Sequence, residues 1–198
     1  MPPRHPLIRG LDLPAELRSL LRVHKVQSVS CISMTHAALE AYFVVHPPVL
    51  DPTIPKSSQP VSEPTVFIDA TIPTHNPEAW LDILPYIYLN VLYPHIKFRM
   101  RISPGKHQIM FQEFFDTHVH SKVNEWTEVL SHGCLQRVHA YIEDRTVDIV
   151  LKPGSSWANE WCCGSDTTEA LELKQTLGLT GHMKGWQGYI VVASVEEI

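Results

Sequence analysis

Six of the sixteen prolines fall between Pro47 and Pro64, interleaved with Lys56, Ser57, Ser58 and Ser62. Proline donates no backbone hydrogen bond and fixes φ near about −65°, so this stretch supports neither a strand ladder nor a helix. It reads as a surface loop over 47–64. It is not a domain boundary, because the segment before it is too short to bury a core of its own. The 198 residues are therefore expected to form a single domain, 1–198.

Around that loop the chain alternates short helical and strand-like runs. Leu13 to His24 carries Pro14 in its first turn and Leu17, Leu20 and Leu21 on one face, which predicts a short helix. Val26 to Val45 predicts strand or turn, then helix or strand, with Thr35 placed as a helix cap. Thr65 to Thr71 alternates Val66, Ile68 and Ala70 against Phe67, Asp69 and Thr71, a strand pattern. The strongest helix signal runs from Asn76 as cap through Pro77, Trp80, Ile83, Leu84, Ile87, Tyr88, Val91 and Leu92, kinked at Pro85. KFRMRI and HQIMFQEFF flank a Pro-Gly turn and predict a hairpin. Leu135 to Ile142 and Val147 to Leu151 predict a second hairpin around Glu143, Asp144 and Arg145. Asp166-x-x-Glu169 is a capping box for a helix through Leu177 that ends at Gly178, and Tyr189 to Ala193 is a last strand. Hairpin spacing favours antiparallel pairing over alternating β-α-β units, so the expected class is α+β, antiparallel β-rich, with flanking helices.

Apolar residues at 44% supply a core, and charged residues at 19% are too few to keep the chain unfolded. The net charge of −5, with Lys and Arg scattered, sets nucleic acid aside as a partner. No apolar run reaches the length of a membrane span, and the first residues lack a secretion signal. Cys31, Cys134, Cys162 and Cys163 form no C-x-x-C pair and suit reduced thiols in a cytoplasmic protein.

The chemistry-bearing stretch is Thr117 to Gly133, THVHSKVNEWTEVLSHG. On a strand, His118 and His120 share one face and Glu125 returns from a neighbouring strand. Two imidazoles and a carboxylate suit one divalent metal, Fe, Mn, Ni or Zn, with positions left open for substrate or water. His118, His120, Glu125 and Gly133 resemble the first motif of the cupin superfamily, His-x-His, a short gap, Glu, then Gly. RISPGK and VDIVLKPGSSW look like the turns that enter the family's two motifs. The resemblance implies a small antiparallel barrel around the metal. Trp157 stands where the second motif supplies a histidine, so a fourth ligand falls to His139 or His182. Phe114, Trp126 and Trp157 are the expected pocket walls, and His139 is also a candidate acid and base.

His36-Ala-Ala-Leu-Glu-Ala-Tyr42 and Trp157-Ala-Asn-Glu160 are similar to two segments of the fungal sterol isomerase and sigma receptor family, a membrane-anchored cupin-like fold without a metal. That resemblance implies that Tyr42 hydrogen-bonds Glu160, which moves protons on an apolar substrate. A different reading of the same central stretch makes Ser121 to Gly133 an amphipathic helix, with Val123, Trp126 and Leu130 inward and Gly133 as its stop. Glu125 then faces solvent and no triad forms.

The sequence thus leads to a small-molecule enzyme in a cupin-like barrel, holding a metal with His118, His120 and Glu125 and acting on an oxygenated metabolite as oxygenase, lyase or isomerase. Its rival is an isomerase or cyclase using Glu160 and Tyr42, and a third reading is a non-catalytic small-molecule-binding domain. A homodimer is compatible with each.

Overall fold

Whether each apolar run becomes helix or strand is settled by where its backbone groups find partners. The computed structural model of the protein describes residues 6–26, 29–50, 65–72, 80–103, 105, 108–161, 167–181 and 185–193. Its first half runs α1 (Pro6–Arg9), α2 (Ala15–Leu20), β1 (Arg22–Val26), β2 (Val29–Thr35), α3 (His36–Val45) and β3 (Val66–Thr71). There follow β4 (Trp80–Asp82), α4 (Leu84–Leu92), β5 (Phe98–Ser103) and α5 (Gln108–Phe114). After a π turn and a short 3-10 turn come α6 (Val123–Ser131), β6 (Leu135–Tyr141), β7 (Thr146–Leu151), α7 (Ser156–Trp161), α8 (Thr168–Thr176) and β8 (Gln187–Val192). These elements fall into two compact units, Met1–Ile72 with Tyr88–Gln112, and Pro73–Ile87 with Glu113–Ile198.

The first unit carries a sheet of order β1-β2-β3-β5. β1 pairs antiparallel with β2, whereas β2 with β3 and β3 with β5 are parallel. Val66, Ile68 and Ala70 on β3 and Phe98, Met100 and Ile102 on β5 are buried, the alternation expected of strands with one face on a core. On the opposite face Arg101 holds Asp69 through two bonds of 2.6 and 2.9 Å and lies 4.7 Å above the Phe67 ring. The parallel β2–β3 pair needs a crossover. α3 supplies it, opened by Thr35, whose hydroxyl accepts the Ala38 amide at 3.3 Å.

The second unit carries the sheet β4-β6-β7-β8, with β4–β6 and β6–β7 antiparallel and β7–β8 parallel. The expected hairpin of β6 and β7 forms, and its turn contains Arg145 at φ 54°. α8 is capped by Thr167, whose side chain accepts the Ala170 amide, and Gly178 follows at φ 73°. Asp166, the expected cap, lies outside the described residues, as do 51–64 of the Pro-rich loop.

Mixed α and β structure is present, but among the described residues neither sheet closes into the expected barrel. Closure requires hydrogen bonds between a sheet's outermost strands. Here β1 and β5, and β4 and β8, are the outermost strands of separate sheets. Among the described residues three of the six strand pairings are parallel, so the purely hairpin-built pattern is also corrected.

Two further expectations change. Of the helix expected from Asn76, residues 76–79 lie outside the described residues, Trp80 lies on a strand, and the described helix runs Leu84–Leu92. Pro85 does not kink a long helix; it sits in the first turn, where its missing N–H has no partner to lose. The Asp82 carboxylate accepts the Leu84 amide at 3.0 Å at that start. The second arm of the expected hairpin, HQIMFQEFF, is α5 instead. Gln108 takes the place of a partner strand: its Oε1 accepts the Ile102 amide at 2.7 Å and its Nε2 donates to the Met100 carbonyl at 2.8 Å.

Candidate functional site

Residues 108–131 form a succession of helical turns: α5, a π turn over Phe115–Val119, a 3-10 turn over His120–Lys122, and α6. The strand expected to carry His118 and His120 is therefore helical, and the amphipathic-helix reading of 121–133 describes the chain. Trp126, Val129 and Leu130 are buried at helical spacing, and Gly133 follows α6 at φ 65°. The Trp126 indole donates to the His118 carbonyl at 2.6 Å, tying α6 to the π turn before it.

Wider π turns are uncommon and recur at functional sites. This one holds Asp116 and leads directly into His120. Asp116 Oδ1 lies 2.9 Å from His120 Nδ1, and Tyr86 on α4 places its hydroxyl 2.8 Å from His120 Nε2. An ionised carboxylate only accepts, so Nδ1 carries the proton and Nε2 accepts from the phenol. Tyr86 is fully buried, with its ring 4.4 Å from that of Phe115. The His120 and Asp116 side chains are 27% and 58% exposed. The result is a carboxylate–imidazole–phenol chain running from the surface inward.

His118 belongs to different surroundings. Its Nδ1 donates to the Leu177 carbonyl at 3.1 Å, and its ring lies 5.2 Å from Phe114, which in turn meets Trp186 at 4.4 Å. Burial lowers the His118 pKa, the bond to Leu177 opposes that shift, and Lys122 adds to it. Glu125 is bound by Lys122 at 3.2 Å on the same helical surface. Each of His118, His120 and Glu125 is thus held by a different partner. Among the described residues no group of three or more His, Cys, Asp or Glu is placed to hold a metal ion. In this arrangement the three do not fit the metal centre that the cupin resemblance implies, because a helical turn spreads neighbours that a strand would align.

The other expected residues separate as well. Phe114 and Trp126 are fully buried, while Trp157 is half-buried on α7 with its ring 4.7 Å from His132. His139 lies on β6 under the Trp80 ring. Tyr42, on α3 of the first unit, packs against Phe43 and His46, and its pKa is raised by burial and then by Glu16. Glu160 is on α7 of the second unit. Its side chain, and His182, lie outside the described residues.

Neither Asp116 nor Tyr86 is among the site residues expected from the sequence. Asp116 and His120 stand four apart, the spacing of facing side chains on a helix, which an α reading of 108–131 would have exposed. Tyr86 is 34 positions from His120, and no local pattern links them.

No described helix is long and apolar enough to cross a membrane. No family model, curated protein or solved structure matches the chain.

Proposed function

We propose that this protein is an enzyme of acid–base chemistry on a small molecule, with His120 as the group that takes up and returns the proton. The observation that carries the reading is the chain Asp116–His120–Tyr86, with contacts of 2.9 and 2.8 Å. Imidazole is the side chain suited to exchanging protons near neutral pH. Asp116 fixes the ring and keeps the proton on Nδ1, so that Nε2 is the basic atom. Tyr86 is the resting donor to that atom. In the working enzyme a substrate O–H or activated C–H occupies the place of the phenol, gives its proton to Nε2, and Asp116 stabilises the imidazolium. The imidazolium exchanges its proton with solvent and gives one back to the substrate, at a different atom in an isomerase or cyclase, so the proton count balances. Asp116 and Tyr86 are positioning residues in this scheme.

The test is exchange of substrate hydrogen with solvent. A panel of small carbonyl compounds is incubated with the protein in deuterated water, and deuterium entering the carbon next to the carbonyl is followed by NMR. Protein-dependent exchange into at least one compound is expected. His120→Ala should abolish it, and Asp116→Asn should slow it by about 100-fold, the scale of a general-base contribution. Full exchange in His120→Ala, or no exchange across the panel, rejects the proposal.

A further inference from the structure

The edge of a sheet is a row of unpaired backbone donors and acceptors that invites another strand, and proteins ordinarily blunt it. Among the described residues three of the four outermost strands are blunted. β1 carries Arg22, His24 and Lys25, β4 is three residues long, and the outer side of β5 is bonded by the Gln108 side chain. β8 has none of these protections. It runs QGYIVV, without a charge, a proline or a break in its register with β7.

The free groups on its outer side can be assigned. The N–H and C=O of one strand residue point the same way, and successive residues alternate. Gln187 donates to the Arg145 carbonyl at 3.0 Å and Ala193 to that of Leu151 at 3.0 Å, so the odd-numbered residues face β7. Gly188, Ile190 and Val192 therefore turn outward. Gly188 donates to the Leu179 carbonyl at 2.8 Å, which covers the start of the edge. Among the described residues nothing bonds the outer groups of Ile190 and Val192. Their side chains lie beside Ile149 and Leu151, which are fully buried, yet both are only half-buried themselves. A strand paired in parallel and apolar on both faces has the pattern of a sheet interior, not of an edge.

We propose that β8 pairs with β8 of a second copy of this chain, antiparallel about a two-fold axis at Val191, joining the two sheets edge to edge. The free main-chain groups select an extended strand, because a helix has its own backbone donors and acceptors paired. A second copy satisfies them in one register. Ile190 lies opposite Val192 of the second copy, and Val192 opposite its Ile190, each pair exchanging two N–H to C=O bonds. Every outer group of both residues is then bonded. The half-buried Ile190 and Val192 side chains cover one another across the seam, and Val191 meets its own counterpart. The chain's net charge is −5, yet Gln187 to Ala193 bring no charge to this edge, so the copies meet there without like-charge pairs. The inference goes beyond the acid–base reading of His120, and neither depends on the other.

Sedimentation equilibrium of the whole protein, together with amide exchange followed by NMR, tests it. A concentration-dependent dimer is expected below about 1 mM. The Ile190 and Val192 amides should gain protection as it forms, whereas the Val191 amide, which faces β7, is protected throughout. That readout needs no variant. Val191 is 41% exposed, so Val191→Lys leaves the core intact but sets two like charges opposite each other, and should weaken association about tenfold. An equimolar mixture of Val191→Lys and Val191→Glu should restore it, because a two-fold axis at this residue puts the two side chains opposite. A protein that stays monomeric up to about 1 mM overturns the proposal, even if it takes up an extended peptide along β8. So does a dimer whose Ile190 and Val192 amides stay unprotected, and so does a mixture that associates no better than either variant alone.

Discussion

Gly178 approaches His118 so closely that a methyl group on its α-carbon would meet Nδ1 at 3.1 Å and Cε1 at 3.3 Å. Gly178 also has φ +73°, a conformation that side chains resist. Gly178→Ala therefore adds backbone strain and pushes His118 off the Leu177 carbonyl. A loss of about 1–3 kcal/mol in urea unfolding is expected. Gly154 has nearly the same φ, +72°, with nothing within 4 Å of the added carbon. Gly154→Ala should lose less, and the difference between the two isolates the contact with His118.

Tyr86→Phe removes the donor to His120 Nε2 while keeping the ring that packs on Phe115. The expected loss is about 1 kcal/mol, the net worth of one hydrogen bond, read as a lower denaturation midpoint with unchanged slope. A variant as stable as the parent would show that the phenol–imidazole bond contributes nothing in solution.

Gln108→Ala strips both bonds from the outer edge of β5 and should destabilise by about 1–2 kcal/mol. Amide exchange at Ile102 should accelerate, since its acceptor is the Gln108 side chain. Gln108→Glu keeps an acceptor for Ile102 but loses the donor to Met100, so it should protect the Ile102 amide better than Ala does.

Histidine ordinarily titrates near 6.5, and His139 is held down to about 4 by burial and Arg137. Between those values the unfolded chain binds more protons than the folded one, so stability rises with pH. Its contribution is complete above about pH 6.5 and is lost as pH falls toward about 4. His118, lowered chiefly by burial, acts in the same direction. Asp148, raised by burial, acts in the opposite direction just above its ordinary 3.8. Melting temperatures measured across this range should decline on acidification, and less steeply in His139→Phe, which keeps a flat ring under Trp80 but has no proton to gain.

Strands whose alternation faces one core were legible along the chain: β3, β6, β7 and β8 lie close to where their apolar periods put them, and Thr35 caps α3 as its chemistry implies. The errors share a cause. HQIMFQEFF and THVHSKVNE contain enough apolar and β-compatible residues for a strand, and what goes with their helical form is a contact that their own apolar period does not encode. For the first it is the Gln108 amide closing the β5 edge. For the second it is Trp126 bonding back to the His118 carbonyl. The parallel pairings depend on crossovers whose direction no single run encodes. At the candidate site the imidazole was visible as one of a His-x-His pair, but its partners were not. Asp116 needed the helical period, and Tyr86 needed the fold.

α4 begins in one compact unit and ends in the other, and α5 does the same in reverse. The unit that holds β1, β2, β3 and β5 is therefore written in two separated stretches of chain. During synthesis it is incomplete until Gln112 has left the ribosome, by which time Pro73–Ile87 of its neighbour has already emerged. No single cut of the polypeptide separates one unit from the other, so neither can be shed by truncation or passed on alone by gene fission.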